Sequence, residues 1–236
     1  MSAYRQKKIA MINDLSGYGR CSLTVAIPIL SAMKVQCCPI PTSILSNHTG
    51  FPVYFFDDYT EKMGEFIHKW KELELTFDGI VSGFLGSEAQ IEIVMDVIRQ
   101  FGQEDTKVII DPIMGDHGET YATYTPAMCS RMKELVSMGD IVTPNLTEAC
   151  ILTGRTYRKD GWSRKELGQL AGEIQAMGPE CVIITGVNQG GYIMNVVAEG
   201  ERTAFPRTRR VGHERPGTGD VFSSVVLSLI HISEPT

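Results

Sequence analysis

The sequence predicts an α/β fold built on a central, mostly parallel sheet, and three observations carry that prediction. Short β-branched runs alternate with longer amphipathic stretches, the pattern of repeated βα units. Several of the short runs are apolar throughout, as strands covered on both faces are. Polar residues stand where those runs end: Asn13-Asp14, Ser82, Asp111 and Asn145. Ligands of open α/β sheets bind outside the carboxyl ends of the strands, so these four positions already outline a candidate site.

Taken in order, residues 9–12 form a buried first strand, closed by the turn-rich segment 13–19. Residues 22–33 read as a helix with Leu23, Ala26, Ile27 and Leu30 on one face. Pro28, which lacks an N–H, lies inside it. Residues 35–44 are extended, and a loop follows over 46–50. Residues 59–71 are helical, and 79–81 form a strand ending in Ser82. The helix over 87–101 carries Ile91, Val94, Met95 and Ile98 at helical spacing, with Ser87 as N-cap and Gln90 three positions on. Buried strands over 108–110 and 141–143 run into Asp111-Pro112 and Pro144-Asn145. In the helix over 163–177, Leu167, Leu170, Ala171, Ile174 and Met177 share a stripe, and Gly178-Pro179 stops it. A buried strand over 181–185 leads through Gly186 to a hairpin over 192–197. No repeat or low-complexity linker interrupts the chain, so a single domain over 1–236 is expected.

Composition bounds the function. A chain of 236 residues can bury one large core. Its formal net charge of −6 argues against a nucleic-acid or anionic-membrane partner, since both want a basic face. It leaves ATP open, because a nucleotide needs local donors and a metal ion rather than a basic protein. The six cysteines (Cys21, Cys37, Cys38, Cys129, Cys150 and Cys181) include no CxxC pair, and the adjacent Cys37-Cys38 cannot close an ordinary disulfide. Reduced thiols without a structural zinc are expected. The apolar run after the N-terminal lysines has only about four residues, too few for a signal segment or a membrane span. A cytoplasmic protein is the expectation.

Pro216-Gly217-Thr218-Gly219-Asp220 precedes an apolar helical pattern of Val221, Phe222, Val225, Val226 and Leu229. Glycines ahead of a helix let backbone N–H groups face an anion without Cβ obstruction, and the first helical turn adds unpaired N–H groups and the positive dipole end. An aspartate at that mouth can accept a hydroxyl proton while a phosphoryl group sits in the cradle. The same residues also fit a plain turn with Asp220 as helix cap. A lysine-bearing P-loop is absent. Asn145-Leu146-Thr147-Glu148 opens another helix after a buried strand. Glu148 there either complements the helix dipole or, with Asn145 and Asp111, stands near a hydrated magnesium ion.

These motifs carry a resemblance. GTGD before the last helix, NLTE and DPIM after strands, and SNHTG in an early loop occur in this order in the ribokinase-like vitamin kinases. SNHTG together with SGFLG resembles the pyridoxal kinase branch, and the first segment, NDLSGYGRCSLTVAIPILSAM, is especially similar to bacterial pyridoxal/pyridoxamine kinases. The resemblance covers roughly residues 8–229.

The resemblance implies a ribokinase-like three-layer sandwich and ATP-dependent phosphorylation of the 5′-hydroxymethyl group of pyridoxal, pyridoxine or pyridoxamine. Asp220 matches the catalytic base, and Gly217, Thr218 and Gly219 match the anion hole. Asp14 matches a polar residue facing the pyridine ring, Thr49 a loop threonine contacting the vitamin, and Phe84 a position where many relatives carry tyrosine. Asp111, Thr143, Glu148 and Thr185 match nucleotide-side positions. Asp111, Asn145 and Glu148 match the metal side, acting through water. Thr185 stands where some relatives place a lysine. ATP and Mg2+ are the implied cofactors, a monovalent cation stays open, and a homodimer is implied. His48 is read as a loop hydrogen-bonding group, His68 as solvent-facing, and Trp70 and Trp162 as packing residues. From about residue 230 the tail resembles nothing in that family and reads as a truncation or processing scar. A hydroxymethylpyrimidine kinase and an inactive ligand-binding homologue remain alternatives.

Overall fold

A computed structural model describes residues 5–212 and 215–232. β1 (Lys8–Tyr18) leads into α1 (Ser22–Ala32), β2 (Gln36–Asn47), β3 (Phe56–Asp58), α2 (Thr60–Glu72), β4 (Gly79–Ser82), α3 (Glu88–Phe101) and β5 (Lys107–Ile110). β6 (Gly115–Asp116) and β7 (Glu119–Thr120) form a small hairpin before α4 (Pro126–Val136), β8 (Ile141–Val142), α5 (Leu146–Thr153) and α6 (Arg164–Gln175). β9 (Cys181–Gln189), β10 (Tyr192–Glu199), β11 (Arg202–Ala204) and β12 (Arg207–Arg209) precede α7 (Thr218–Ile232). This is the α/β class that the sequence predicts, with a mostly parallel sheet and flanking helices. Of the unusual tail, residues 233–236 lie outside the described residues.

The chain forms two compact units, one from residues up to 109 together with 215 onward, the other from 110–214. In the first, β1 lies between β2 and β4 and runs parallel to both, with Ile9 opposite Cys37 on one side and Gly79 on the other. Ile9, Met11, Ile12, Ile40 and Ile80 are buried in this sheet, and α1 supplies Leu23 and Leu30 from one face. Ser87 caps α3, its hydroxyl accepting from the Gln90 N–H, as expected. α7 packs on α1.

One segment departs from the sequence reading. The turn expected over 13–19 is strand through Tyr18, paired with β2 as far as Asn47, with a register shift between Asn13 and Leu15. Its glycine, serine and aspartate are turn residues by local preference, and the β2 ladder holds them extended. Ser46 and Asn47, expected in a loop, therefore belong to β2.

In the second unit β8 and β9 are parallel and β10 returns antiparallel to β9. Gly186 lies within β9, not after it. Its φ of +72° accommodates a register shift opposite Asn195, whose side-chain oxygen accepts from the Gly186 N–H. Capping boxes open α5 and α6: Asn145 with Glu148, and Ser163 with Glu166. Helix α4 escaped the sequence reading although Thr125 caps it and Pro126 sits in its first turn.

All six cysteines are free, and burial pushes the Cys37 thiol up to about 12, which keeps it inert. His68 is solvent-facing, whereas Trp162 is buried and Trp70 packs against Phe66 and Phe77. Among the described residues no helix is long and apolar enough to cross a membrane.

Candidate active site

In the first unit the end of β1, the start of α1 and the start of α7 converge on two buried carboxylates. Asp220 lies in the first turn of α7 and is 8% exposed. Its Oδ2 accepts from the Ser22 N–H at 2.9 Å, and its Oδ1 accepts from Asn13 Nδ2 at 3.2 Å. Asp14 is 6% exposed, with Oδ1 accepting from the Ser22 hydroxyl at 2.5 Å and Oδ2 from the Ser16 hydroxyl at 2.9 Å. Ser22 thus bridges the pair through its N–H and its Oγ. It does so from a left-handed backbone, φ 54°, unusual for serine and strained by about 1–3 kcal/mol.

Burial pushes the Asp220 carboxyl above the ordinary aspartate range. The Ser22 N–H pulls it back, and the charge of Asp14 adds to the rise. Burial likewise raises Asp14 against the two serine hydroxyls that favour its charged form. Among the described residues no cation holds Asp220. Its two named partners are neutral donors, which orient the carboxylate while leaving it basic.

The glycine-rich approach to α7 is sterically required. Gly217 has φ +79°, and a Cβ there would lie 1.8 Å from the Arg20 carbonyl oxygen. The backbone of α7's entry therefore lies directly on that of the segment entering α1. Thr218 and Gly219 occupy the exposed first turn, and the Gly217 carbonyl accepts from the Val221 N–H at 3.0 Å. A cavity of about 430 Å3 opens beside this turn, lined by Arg20 and Arg215 together with Gly217, Thr218 and Val221.

Phe84 joins the network through its backbone, its N–H donating to Asn13 Oδ1 at 2.9 Å and its carbonyl accepting from the Thr42 hydroxyl at 2.9 Å. Thr49 is not brought into these hydrogen bonds. It is exposed in the loop after β2, beside His48, which packs on Gly19 and Phe51. His48 Nδ1 accepts from the Gly50 N–H, the loop role expected of it.

In the second unit the nucleotide-side positions of the sequence reading also gather. Glu148 is fully enclosed, its carboxylate accepting from the Asn145 N–H at 2.7 Å and the Met114 N–H at 3.1 Å. Burial, and then the charge of Asp111, push it well above the usual carboxylate range. Asn145 caps α5 and donates from Nδ2 to the Gly115 carbonyl. Thr185 bridges to Asn145, and among the described residues the buried Thr143 hydroxyl has no hydrogen-bond partner. Glu148 and Asn145 therefore do serve as a helix cap, which the sequence left open. Among the described residues no three His, Cys, Asp or Glu side chains stand together as a metal site. Asp111, Asn145 and Glu148, the set expected on the metal side, carry the oxygen donors that a hard, largely hydrated cation takes.

Sequence reasoning did not single out Ser16 and Ser22, and it left Asn13 as a strand-end residue without a role. Only Asn13 carried a signal, as the polar residue following the buried run 9–12.

The parallel α/β arrangement, with an aspartate at a glycine-entered helix start, places the chain in the ribokinase-like fold class. The sequence profile of the phosphomethylpyrimidine kinases matches residues 30–235, and the chain belongs to that family. A Bacteroides thetaiotaomicron protein provisionally assigned as a phosphomethylpyrimidine kinase is 40% identical, with a TM-score of 0.95, over 100% of this chain and 82% of its own. A second crystal form of that protein, solved with pyridoxal, is 39% identical with a TM-score of 0.93, over 98% of this chain and 82% of its own. Pyridoxal kinase of Ovis aries is 28% identical over 219 residues, 79% of this chain. The chain spans 65% of the length of that sheep enzyme.

Proposed function

We propose that this chain transfers the γ-phosphoryl group of ATP to the 5′-hydroxymethyl group of a B6 vitamer. One observation carries the reading: a carboxylate, Asp220, at the start of α7, made more basic by burial and held in place by neutral donors rather than by a cation. In the proposed step Asp220 removes the hydroxyl proton as the substrate oxygen bonds to the γ-phosphorus. The bond from that phosphorus to the bridging oxygen breaks, and ADP leaves with the electron pair. The N–H groups of 217–219 stabilise the charge spreading over the phosphoryl oxygens. Asp14, Thr49 and Phe84 are assigned to the vitamin, and Asp111, Thr143, Glu148 and Thr185 to the nucleotide. Asp111, Asn145 and Glu148 would hold hydrated magnesium, which when bound neutralises phosphate charge. A homodimer is part of the reading and is checked by light scattering.

The family profile is named for phosphomethylpyrimidine and one relative was solved with pyridoxal, so the test is an ATP-consumption assay with pyridoxal, pyridoxine, pyridoxamine, hydroxymethylpyrimidine and its phosphate. Turnover should favour a B6 vitamer; preference for the pyrimidine would reassign the substrate. Asp220→Ala should lower kcat by about 100-fold or more, the usual worth of a positioned base, with little change in the ATP KM. A near-wild-type kcat would remove Asp220 from the base role.

A further inference from the structure

Asn13 is 1% exposed, and among the described residues its side chain makes three hydrogen bonds, all inside the network. Its Oδ1 accepts from the Asp14 N–H at 3.0 Å and from the Phe84 N–H at 2.9 Å. Two backbone donors at one end fix which end of the amide is oxygen, so Nδ2 must face Asp220. The β4–α3 connection lies directly on this amide: a Cβ on Gly83 would come within 2.4 Å of Asn13 Nδ2. One side chain therefore touches both the carboxylate proposed as base and the backbone of the segment proposed to hold the vitamin ring.

We propose that Asn13 is a positioning residue that couples the orientation of Asp220 to the placement of the Phe84 segment. The inference rests on the phosphotransferase reading given above. The amide has the right chemistry for this task. Aspartate in the same shape would still accept from the Asp14 and Phe84 N–H groups but would set an oxygen against Asp220 Oδ1. A shorter side chain would lose the reach to Phe84. Shifting the Phe84 N–H moves the ring-side wall, and turning Asp220 moves the base, so one substitution disturbs both. The titratable groups bearing on Asp220 are Asp14 on β1 and Cys21 at the entry to α1, and His48 acts on Asp14 from the loop after β2.

The experiment compares wild type, Asn13→Asp and Asn13→Ser in kcat/KM for pyridoxal at saturating ATP between about pH 5 and 9, the range in which acidic and basic limbs separate. Thermal unfolding of each protein confirms that it is folded. In Asn13→Asp the acid limb should move to higher pH by about one unit or more, because a like charge disfavours ionisation of the base. In Asn13→Ser the limb should move the same way by less, and the pyridoxal KM should rise several-fold as the Phe84 N–H is released. A purely structural asparagine would lower the melting temperature and leave the limb in place. An unshifted limb in either folded variant, or an unchanged pyridoxal KM in Asn13→Ser, overturns the coupling. If Asn13→Asp fails to fold, Asn13→Ser decides alone. A wild type inactive on every acceptor instead refutes the phosphotransferase reading. The Asp220–Asn13 contact is then tested by carboxyl-carbon NMR titration of Asp220 in wild type and Asn13→Ser, where coincident curves overturn it.

Discussion

Gly217→Ala isolates the contribution of the α7 entry to catalysis. The new Cβ would sit 1.8 Å from the Arg20 carbonyl oxygen and 2.8 Å from its carbonyl carbon, both backbone atoms that cannot rotate away. The left-handed φ of +79° costs an alanine a further 1–2 kcal/mol, roughly. The two backbones must part by more than an ångström, which re-aims the first-turn N–H groups and draws Cys21 and Ser22 away from Asp220. A misplacement of about 1 Å at a reacting centre costs about 100-fold in rate, or roughly 2.7 kcal/mol in the barrier. The expected result is a kcat lower by about two orders of magnitude in a protein that still folds. Steady-state kinetics with ATP and pyridoxal, run beside a thermal melt, measure both. A folded variant within about threefold of the wild-type kcat would show that the close packing of Gly217 on Arg20 has no part in the chemistry.

Three further outcomes follow from the same geometry. Because Asp220 is raised in the folded state, its contribution to stability is present below about pH 4 and is lost as pH rises through the folded value. The melting temperature of Asp220→Asn relative to wild type should therefore climb as pH rises above about 4, and a difference that stays flat would contradict the raised carboxyl. Gln90 is fully buried, its Oε1 accepting from the Gly86 N–H at 2.7 Å and its Nε2 donating to the Thr42 carbonyl at 2.8 Å. Gln90→Leu leaves the Gly86 N–H without that acceptor and should cost about 1–3 kcal/mol in urea unfolding, with a raised pyridoxal KM; a cost below about 0.5 kcal/mol would show that Gln90 does not anchor the segment. Glu148→Gln removes charge while keeping an acceptor for the Met114 N–H, so the Mg2+ concentration for half-maximal activity should rise several-fold with the pyridoxal KM unchanged. An unaltered Mg2+ requirement would reduce Glu148 to its capping role.

The strands were legible where burial on both faces made them apolar throughout: Ile9 to Ile12, Val108 to Ile110 and the start of β9. The continuation of β1 was not, because Asn13, Asp14, Ser16 and Gly17 all prefer turns, and only pairing with β2 keeps them extended. Asp220 and Gly217 were legible because a glycine-entered helix start is a local pattern. The partners of Asp220 were not. Ser22 reaches it through a left-handed backbone, and Asn13 meets it across more than two hundred positions of sequence. Gly83 entered the sequence reading only as part of SGFLG. Its lack of a side chain matters only because β4 delivers it onto the Asn13 amide.

These contacts share an energetic direction. Two buried carboxylates bridged by one serine, a left-handed Ser22 and a backbone pressed against Gly217 all oppose folding, and they fall within one stretch of the first unit. Strain of this kind persists only where the surroundings over-determine it. Here the surroundings are the fully buried β1, β2 and β4 side chains and the Asn13 amide. A cationic partner would relieve the buried charge of Asp220 more effectively than Asn13 and Ser22 do, and it would also hold the proton affinity down. Neutral donors are the arrangement that fixes a carboxylate in place and still lets it accept a proton. Substitutions that relax this cluster should therefore tend to stabilise the protein as they slow it.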